Sequence, residues 1–213
     1  MTIRELFSSE YTLARPYLEE FLYPWEALEG LKTWLLQLGP ALGEYRELRP
    51  GVWAHPTARI ADTALTEGPA IIGPETEIRQ GAFIRGSALI GGGCVVGNST
   101  ELKNAILFDG VQVPHFNYVG DSILGYKAHL GAGAICSNVR GDKGLVSVAG
   151  TATGRKKVGA MIGDYAEIGC NAVLNPGTVI GKNARVYPAA SVRGIVPADC
   201  IYKNDGTIVS LES

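Results

Sequence analysis

The chain has 213 residues, 46% of them hydrophobic and 19% charged, which is enough for one substantial core or for a large domain beside a small one. A net charge of −2 and a pI near 5.9 argue against a surface built for non-specific binding to nucleic acid or anionic membranes. The four cysteines Cys94, Cys136, Cys170 and Cys200 form no CxxC pair, so they read as reduced cytosolic thiols rather than a zinc or disulfide framework. The opening MTIRELFSSE lacks an apolar signal core, and no run approaches the ~20 apolar residues of a membrane span. A cytoplasmic protein is expected.

Residues 1–50 are expected to form a short helical N-terminal extension. Leu18, Phe21, Leu22, Trp25, Leu28, Leu31 and Leu35 recur at spacings of three and four, the mark of an amphipathic helix. Pro24 is placed to kink that helix or to start a second one, and Gly39-Pro40 to stop it. This part is read as a cap or an oligomer contact.

From about Val52 the material changes. Stepping by six gives Ile72, Ile78, Ile84, Ile90, Val96, Leu102 and Phe108, then Ile162, Ile168, Leu174, Ile180, Val186 and Val192. Two residues before most of these stands Ala, Thr or Cys, and glycine often follows, as in Ile72-Gly73 and Ile180-Gly181. A period of six fits neither an α-helix nor an alternating strand. It fits a short strand plus a corner, three of which close a triangular coil of 18 residues. Residues 51–213 are therefore read as an all-β solenoid, a parallel β-helix of roughly eight coils stacked ~4.8 Å apart. A β-sandwich would show a period of two and longer strands.

The beat falters twice. Pro114 stands where an aliphatic is due, with His115 after it, and Val119, Leu124 and Leu130 resume at shortened steps. It is lost between Asn138 and Lys157, and the segment 139–157 is read as an inserted loop. In a solenoid such insertions gather on one face, often the functional one. Arg140, Lys143, Arg155, Lys156 and Lys157 point the loop toward anions. The three histidines, His55, His115 and His129, are too widely spaced to support a metal site, and none is expected.

The stretch HFNYVGDSILG from His115, followed by LGAGAICSN from Leu130, resembles the active-site coil of bacterial N-acetylglucosamine-1-phosphate uridyltransferase/glucosamine-1-phosphate acetyltransferase. It looks closer still to the archaeal sugar-1-phosphate nucleotidylyltransferases that carry an acetyltransferase domain. The resemblance covers about 52–192. It implies a left-handed coil, an exception to the right-handed crossover rule, and a homotrimer with active sites between subunits. It implies acetyl-CoA as donor, without a metal, and an amino-sugar 1-phosphate as acceptor. His115 matches the family's catalytic base and Asn138 an asparagine beside the reacting acetyl group. Arg85, Lys103 and Lys157 match phosphate- and sugar-binding positions, and Tyr118 a tyrosine that contacts the sugar. Ala132, Cys170 and Pro188 match positions whose main chain holds the pantetheine arm.

Two positions depart from the family. His129 stands where it has an asparagine, and Val139 where it has a tyrosine; both sit near the sugar and leave the acceptor open. Nothing before residue 50 offers a glycine-rich phosphate loop or room for a nucleotide-binding domain, so no nucleotidyl transfer is expected. The functional expectation is N-acetyl transfer to an amino-sugar 1-phosphate. The alternatives are a non-catalytic trimeric β-helix binding a sugar phosphate or a protein partner, and an O-acetyltransferase acting on another small acceptor.

Overall fold

A computed structural model describes residues 1–211. The repeat folds as a parallel β-helix of about eight turns. Its first face carries the strands Val52–Ala54, Ala70–Ile72 and Ala88–Ile90, and ends at Ile195–Val196. The second face runs from Arg59–Ile60 through Gln112–His115 to Cys200–Tyr202, and the third from Leu65–Glu67 to Ser191–Val192. Two seven-residue strands, Glu101–Leu107 and Tyr118–Leu124, bend round the corner between the third face and the first.

The six-step residues form the interior. Ile72, Ile84, Ile90, Val96, Leu102, Ile162, Leu174, Ile180 and Val192 are each 0% exposed. The small residues before them sit where the triangle narrows; Thr76 and Thr100 donate their hydroxyls to the carbonyls of Gly91 and Val113, so these buried polar groups are satisfied.

Register locates the faltering beat. Eighteen residues separate Ile84 from Leu102, but only seventeen separate Ile90 from Leu107 and Leu102 from Val119. One residue is therefore missing from the side between Leu102 and Leu107, and again between Val119 and Leu124. Leu107, not Phe108, is the strand residue in register with Ile90 and Leu124. Phe108 is buried next to it and lies 5.1 Å from the ring of Phe7. The expected gap at 114 is likewise a phase shift, since Val113 pairs with Val96. At the shortened corner Asn104 and Asp121 take φ of 51° and 48°, the left-handed region that Asn and Asp tolerate best among residues with a side chain.

The N-terminal extension forms several pieces instead of one long helix. Short turns at Ile3–Leu6, Arg15–Leu18 and Pro24–Glu26 precede one helix, Ala27–Leu38. Pro24 opens a tight turn that leads straight into that helix. Leu28, Leu31 and Leu35 are buried as the helix lies over the first face, against Ala88–Ile90 and Glu101–Leu107. Leu22, from the same stripe, is 58% exposed. Gly39 packs on the indole of Trp53 so closely that a Cβ would collide with it. Asp164, inside the coil, fixes the extension: it accepts from the Ser8 and Tyr126 backbone N–H groups at 2.8 and 2.9 Å and pairs with Lys182 at 3.0 Å.

At the ends, Arg46–Arg49 pairs antiparallel with Val52–Ala54, and Ile208–Ser210 antiparallel with Cys200–Tyr202. The inserted segment contains a small hairpin, Ser147–Val148 with Thr151–Ala152, and buries Val146 and Val148. Among the described residues no helix is long and apolar enough to cross a membrane.

Candidate active site

His115 ends its strand at the corner between the second and third faces, in register with Asn98 one coil below. Its ring is exposed. Its backbone is not free to move: the N–H donates to Asn117 Oδ1 at 3.1 Å and the carbonyl accepts from Gly133 N–H at 3.0 Å. Asn117 is 2% exposed and donates its amide to the Gly131 and Ala134 carbonyls at 2.8 and 3.2 Å. One buried side chain thus locks the His115 corner to the coil above.

That corner continues upward as a column. The Ala132 carbonyl accepts from Asn171 N–H, and the Cys170 carbonyl from Ala189 N–H, each at 2.8 Å. His115, Ala132, Cys170 and Pro188 therefore occupy equivalent positions on successive coils, at ~4.8 Å per coil. The sequence spaces them irregularly, and the register brings them onto one edge.

A second cluster occupies the opposite edge of the third face. Asp121 is 5% exposed. It accepts from Asn104 Nδ2 at 2.8 Å, from Asn138 Nδ2 at 2.5 Å and from Lys103 Nζ at 3.4 Å. Asn138 Nδ2 also donates to the Tyr118 hydroxyl at 3.2 Å. Gly120 makes this approach possible, because a Cβ there would run into the Tyr118 hydroxyl and the Asn138 amide. Arg85 stands next to Lys103 in the outward column and pairs with Glu101 at 2.8 Å. Burial, with Glu101 nearby, pushes the Tyr118 phenol above its ordinary range, so it remains a neutral donor at physiological pH. The Glu101 hydrogen bond raises the already high pKa of Arg85.

Lys103, Tyr118 and Asn138 are thus brought together, with Arg85 at their margin. Lys157 joins them through the backbone: the two ends of the inserted loop pair at Val139 and Lys157, and Val158 N–H donates to the Asn138 carbonyl at 3.0 Å. Within one chain His129 does not join the cluster. It stands on the second face and pairs with Glu167 at 2.7 Å. His115 lies across the corner from Tyr118, on the preceding strand, with Phe116 in the left-handed region between them, and its ring hydrogen-bonds to none of Lys103, Tyr118 or Asn138. Asp121, Asn117 and Asn104 hold both edges, yet sequence reasoning gave them no role. The signal was present for Asp121, which closes the His-x-x-Tyr-x-Gly-Asp motif.

The basic loop is more neutralised than its composition implies. Arg140 pairs with Asp142, and Arg155 with Glu29 of the long helix. Cys94 and Cys136 are buried, with thiols pushed up to about 12 by desolvation, which makes them poor nucleophiles. Among the described residues no three His, Cys, Asp or Glu side chains converge as a metal site would require.

Residues 66–158 match the family model described as the GMPPB C-terminal domain. The bifunctional sugar-1-phosphate nucleotidylyltransferase/acetyltransferase of Sulfurisphaera tokodaii is 31% identical over 163 residues, covering 66% of this chain and 41% of that protein. The bifunctional protein GlmU of Methanococcus vannielii is 33% identical over 144 residues, covering 66% of this chain and 33% of that protein. The chain thus spans about two fifths or less of these relatives. Among solved structures, a mutant of GDP-perosamine N-acetyl transferase from Caulobacter crescentus shares 17% identity over 75% of this chain and 56% of that one, with a TM-score of 0.36. The acetyltransferase domain of PglB from Neisseria gonorrhoeae, in complex with acetyl coenzyme A, shares 20% over 79% and 60%, with a TM-score of 0.34. The chain is a hexapeptide-repeat parallel β-helix that resembles, over its coils, the sugar-1-phosphate nucleotidylyltransferase/acetyltransferases.

Proposed function

We propose that this chain is an acetyl-CoA-dependent N-acetyltransferase whose acceptor is an amino-sugar 1-phosphate, working as a homotrimer with active sites between subunits. The observation that carries the reading is the column His115–Ala132–Cys170–Pro188. It sets an exposed imidazole at the foot of an edge along which a pantetheine arm can lie, with its thioester end at the histidine.

In this reading the His115 ring takes a proton from the acceptor's free amine as it attacks. The new N–C bond forms at the acetyl carbonyl, the C–S bond breaks, and coenzyme A leaves as the thiol with a proton returned from the imidazolium. Asn117 keeps the ring aimed by holding the His115 backbone N–H, while Gly133 N–H holds its carbonyl. Asn138 and Tyr118 hold the sugar, and Lys103, Arg85 and Lys157 supply cations for its phosphate. The separation between His115 and the Lys103 cluster within one chain supports a site completed by a second subunit.

The test is thiol release from acetyl-CoA with glucosamine 1-phosphate and galactosamine 1-phosphate. His115→Ala is expected to lower kcat by ~10²–10⁴ without changing the fold, since the ring is exposed. Equal rates for the two proteins would defeat the proposal. A non-catalytic sugar-phosphate binder is the second reading. It draws on the fact that Arg85 and Lys103 already rest on Glu101 and Asp121. Phosphate binding without His115-dependent turnover would favour it.

A further inference from the structure

The second face carries a polar pair to which the site above gives no role. His129 and Glu167 point outward from adjacent coils in register, and His129 Nδ1 lies 2.7 Å from Glu167 Oε2. Two cations stand near this carboxylate. Arg185 is next in register, and Lys127 sits over the Tyr126 ring at 5.1 Å, yet among the described residues Glu167 pairs with His129 alone. The pair lines an open groove of about 520 Å³ together with Gln112, Lys127 and Tyr165. An ionised carboxylate only accepts hydrogen bonds. It therefore fixes the proton of the neutral ring on Nδ1 and leaves Nε2 as the free acceptor.

The packing of copies decides what that groove faces. The outward residues of the first face, Ile71, Leu89, Ile106, Ile123, Met161 and Val179, are each 0% exposed beneath the N-terminal extension, which closes that face to another chain. On the third face the outward Phe83, Ile135 and Val173 are apolar and only half-buried. Three parallel triangular rods around a three-fold axis have no two faces that oppose each other, so an edge of one meets a face of the next. The edge between the second and third faces, which bears His115, then meets a neighbour's second or third face. Of these, only the third holds the cluster of Tyr118 and Lys103. Beside that contact runs a wedge between one copy's second face and the other's third. His129 lines it one coil, ~4.8 Å, above Gln112 of the His115 strand.

We infer that Glu167 is a positioning residue for the acceptor, acting from the neighbouring copy: it holds His129 with Nε2 turned into the wedge, where that nitrogen accepts a hydrogen bond from a hydroxyl of the sugar bound at Tyr118. The inference rests on the inter-subunit site of the preceding reading and adds the carboxylate that sets the second histidine. Without Glu167 the ring proton is shared between both nitrogens, and part of the rings present a donor where the hydroxyl needs an acceptor.

The test measures binding of glucosamine 1-phosphate and galactosamine 1-phosphate to the full chain by calorimetry, and turnover with acetyl-CoA. Glu167→Ala is expected to weaken the better-bound sugar phosphate by about 2- to 12-fold. Its kcat at saturating acceptor and its affinity for acetyl-CoA should match wild type, a split that a folding defect would not produce. Glu167→Gln, whose amide oxygen still accepts from the Nδ1–H, should keep most of the affinity. In a His129→Ala background Glu167→Ala should add nothing, because the carboxylate acts through the ring. Copies carrying His115→Ala, co-expressed with copies carrying His129→Ala, should give a fraction of turnover with the wild-type KM for the acceptor, since each mixed trimer then holds one site with both histidines. An equal loss from Glu167→Ala with and without His129, no loss at all, or no saturable binding of either sugar phosphate overturns the inference. So do mixed copies that show only the KM of His129→Ala, which would place both histidines in one chain. Sugar-phosphate binding that depends on Glu167 through His129, in a protein with no turnover, would defeat the acetyltransferase reading and leave the positioning role standing.

Discussion

The β-helix contains two kinds of coil, and they differ in what they carry. In the coils of eighteen residues, such as those through Ile162, Ile168 and Leu174, the buried carboxylate Asp164 ties the N-terminal extension to the coil through Ser8, Tyr126 and Lys182 and faces no exposed polar cluster of side-chain amides. In the two of seventeen, one corner is a residue short, and there Asn104, Asp121 and Asn138 stack into a hydrogen-bonded ladder that Tyr118 and Lys103 join. The lesson is that this solenoid makes a polar site by deletion. Shortening one side draws the corner in far enough to bury a carboxylate and to surround it with donors.

Four substitutions test how far the short coils are held by polar contacts and the regular ones by packing. Asp121→Ala should cost the most, about 3–5 kcal/mol in urea unfolding, because it leaves Lys103 and the Asn104 amide unpaired and takes one acceptor from Asn138 at a nearly buried corner. A loss below 1 kcal/mol would mean the ladder is incidental. Leu107→Ala and Leu174→Ala, one from each kind of coil, should each cost about 2–5 kcal/mol; a large gap between them would show that the two coils are not packed alike. Arg155→Ala, which cuts the tie between the inserted loop and Glu29, should cost under about 1 kcal/mol, read as a small shift in Tm.

Thiol titration gives the smallest but cleanest contrast. Cys94 and Cys136, both interior, should resist a thiol reagent at pH 8 in the native protein, while exposed Cys170 and half-buried Cys200 react. All four should react after denaturation. The pH dependence follows from the same burial. The folded thiols sit at about 12 against an ordinary 9.0, so the neutral form is favoured in the native state. Their contribution to stability is full below pH 9 and is lost as the pH rises from there toward 12.

The fold was legible because the interior of each coil admits one aliphatic per side, and that demand repeats thirteen times in the sequence. The phase shift was not legible. Ile106, Leu107 and Phe108 are all apolar, and only the register with Ile90 says which strand position each fills. The motif at His115 drew attention to one corner, and counting could not add that Ala132, Cys170 and Pro188 stack above it, since the inserted loop stretches one coil from seventeen or eighteen residues to thirty-eight. His129 illustrates the same limit. Fourteen residues after His115 is less than one coil, so it comes to the second face beside Glu167 and not over Tyr118.

The two antiparallel strands at the ends have a consequence for self-association. A stack of parallel coils is a template that another copy could extend indefinitely, since every coil edge offers the same hydrogen-bonding row. Here Arg46–Arg49 and Ile208–Ser210 run against the coil direction at the first and last turns. An incoming coil meets reversed polarity and, at the N-terminal end, the charged row Arg46, Glu47 and Arg49. The strands that finish the solenoid therefore also stop it from growing into a fibre.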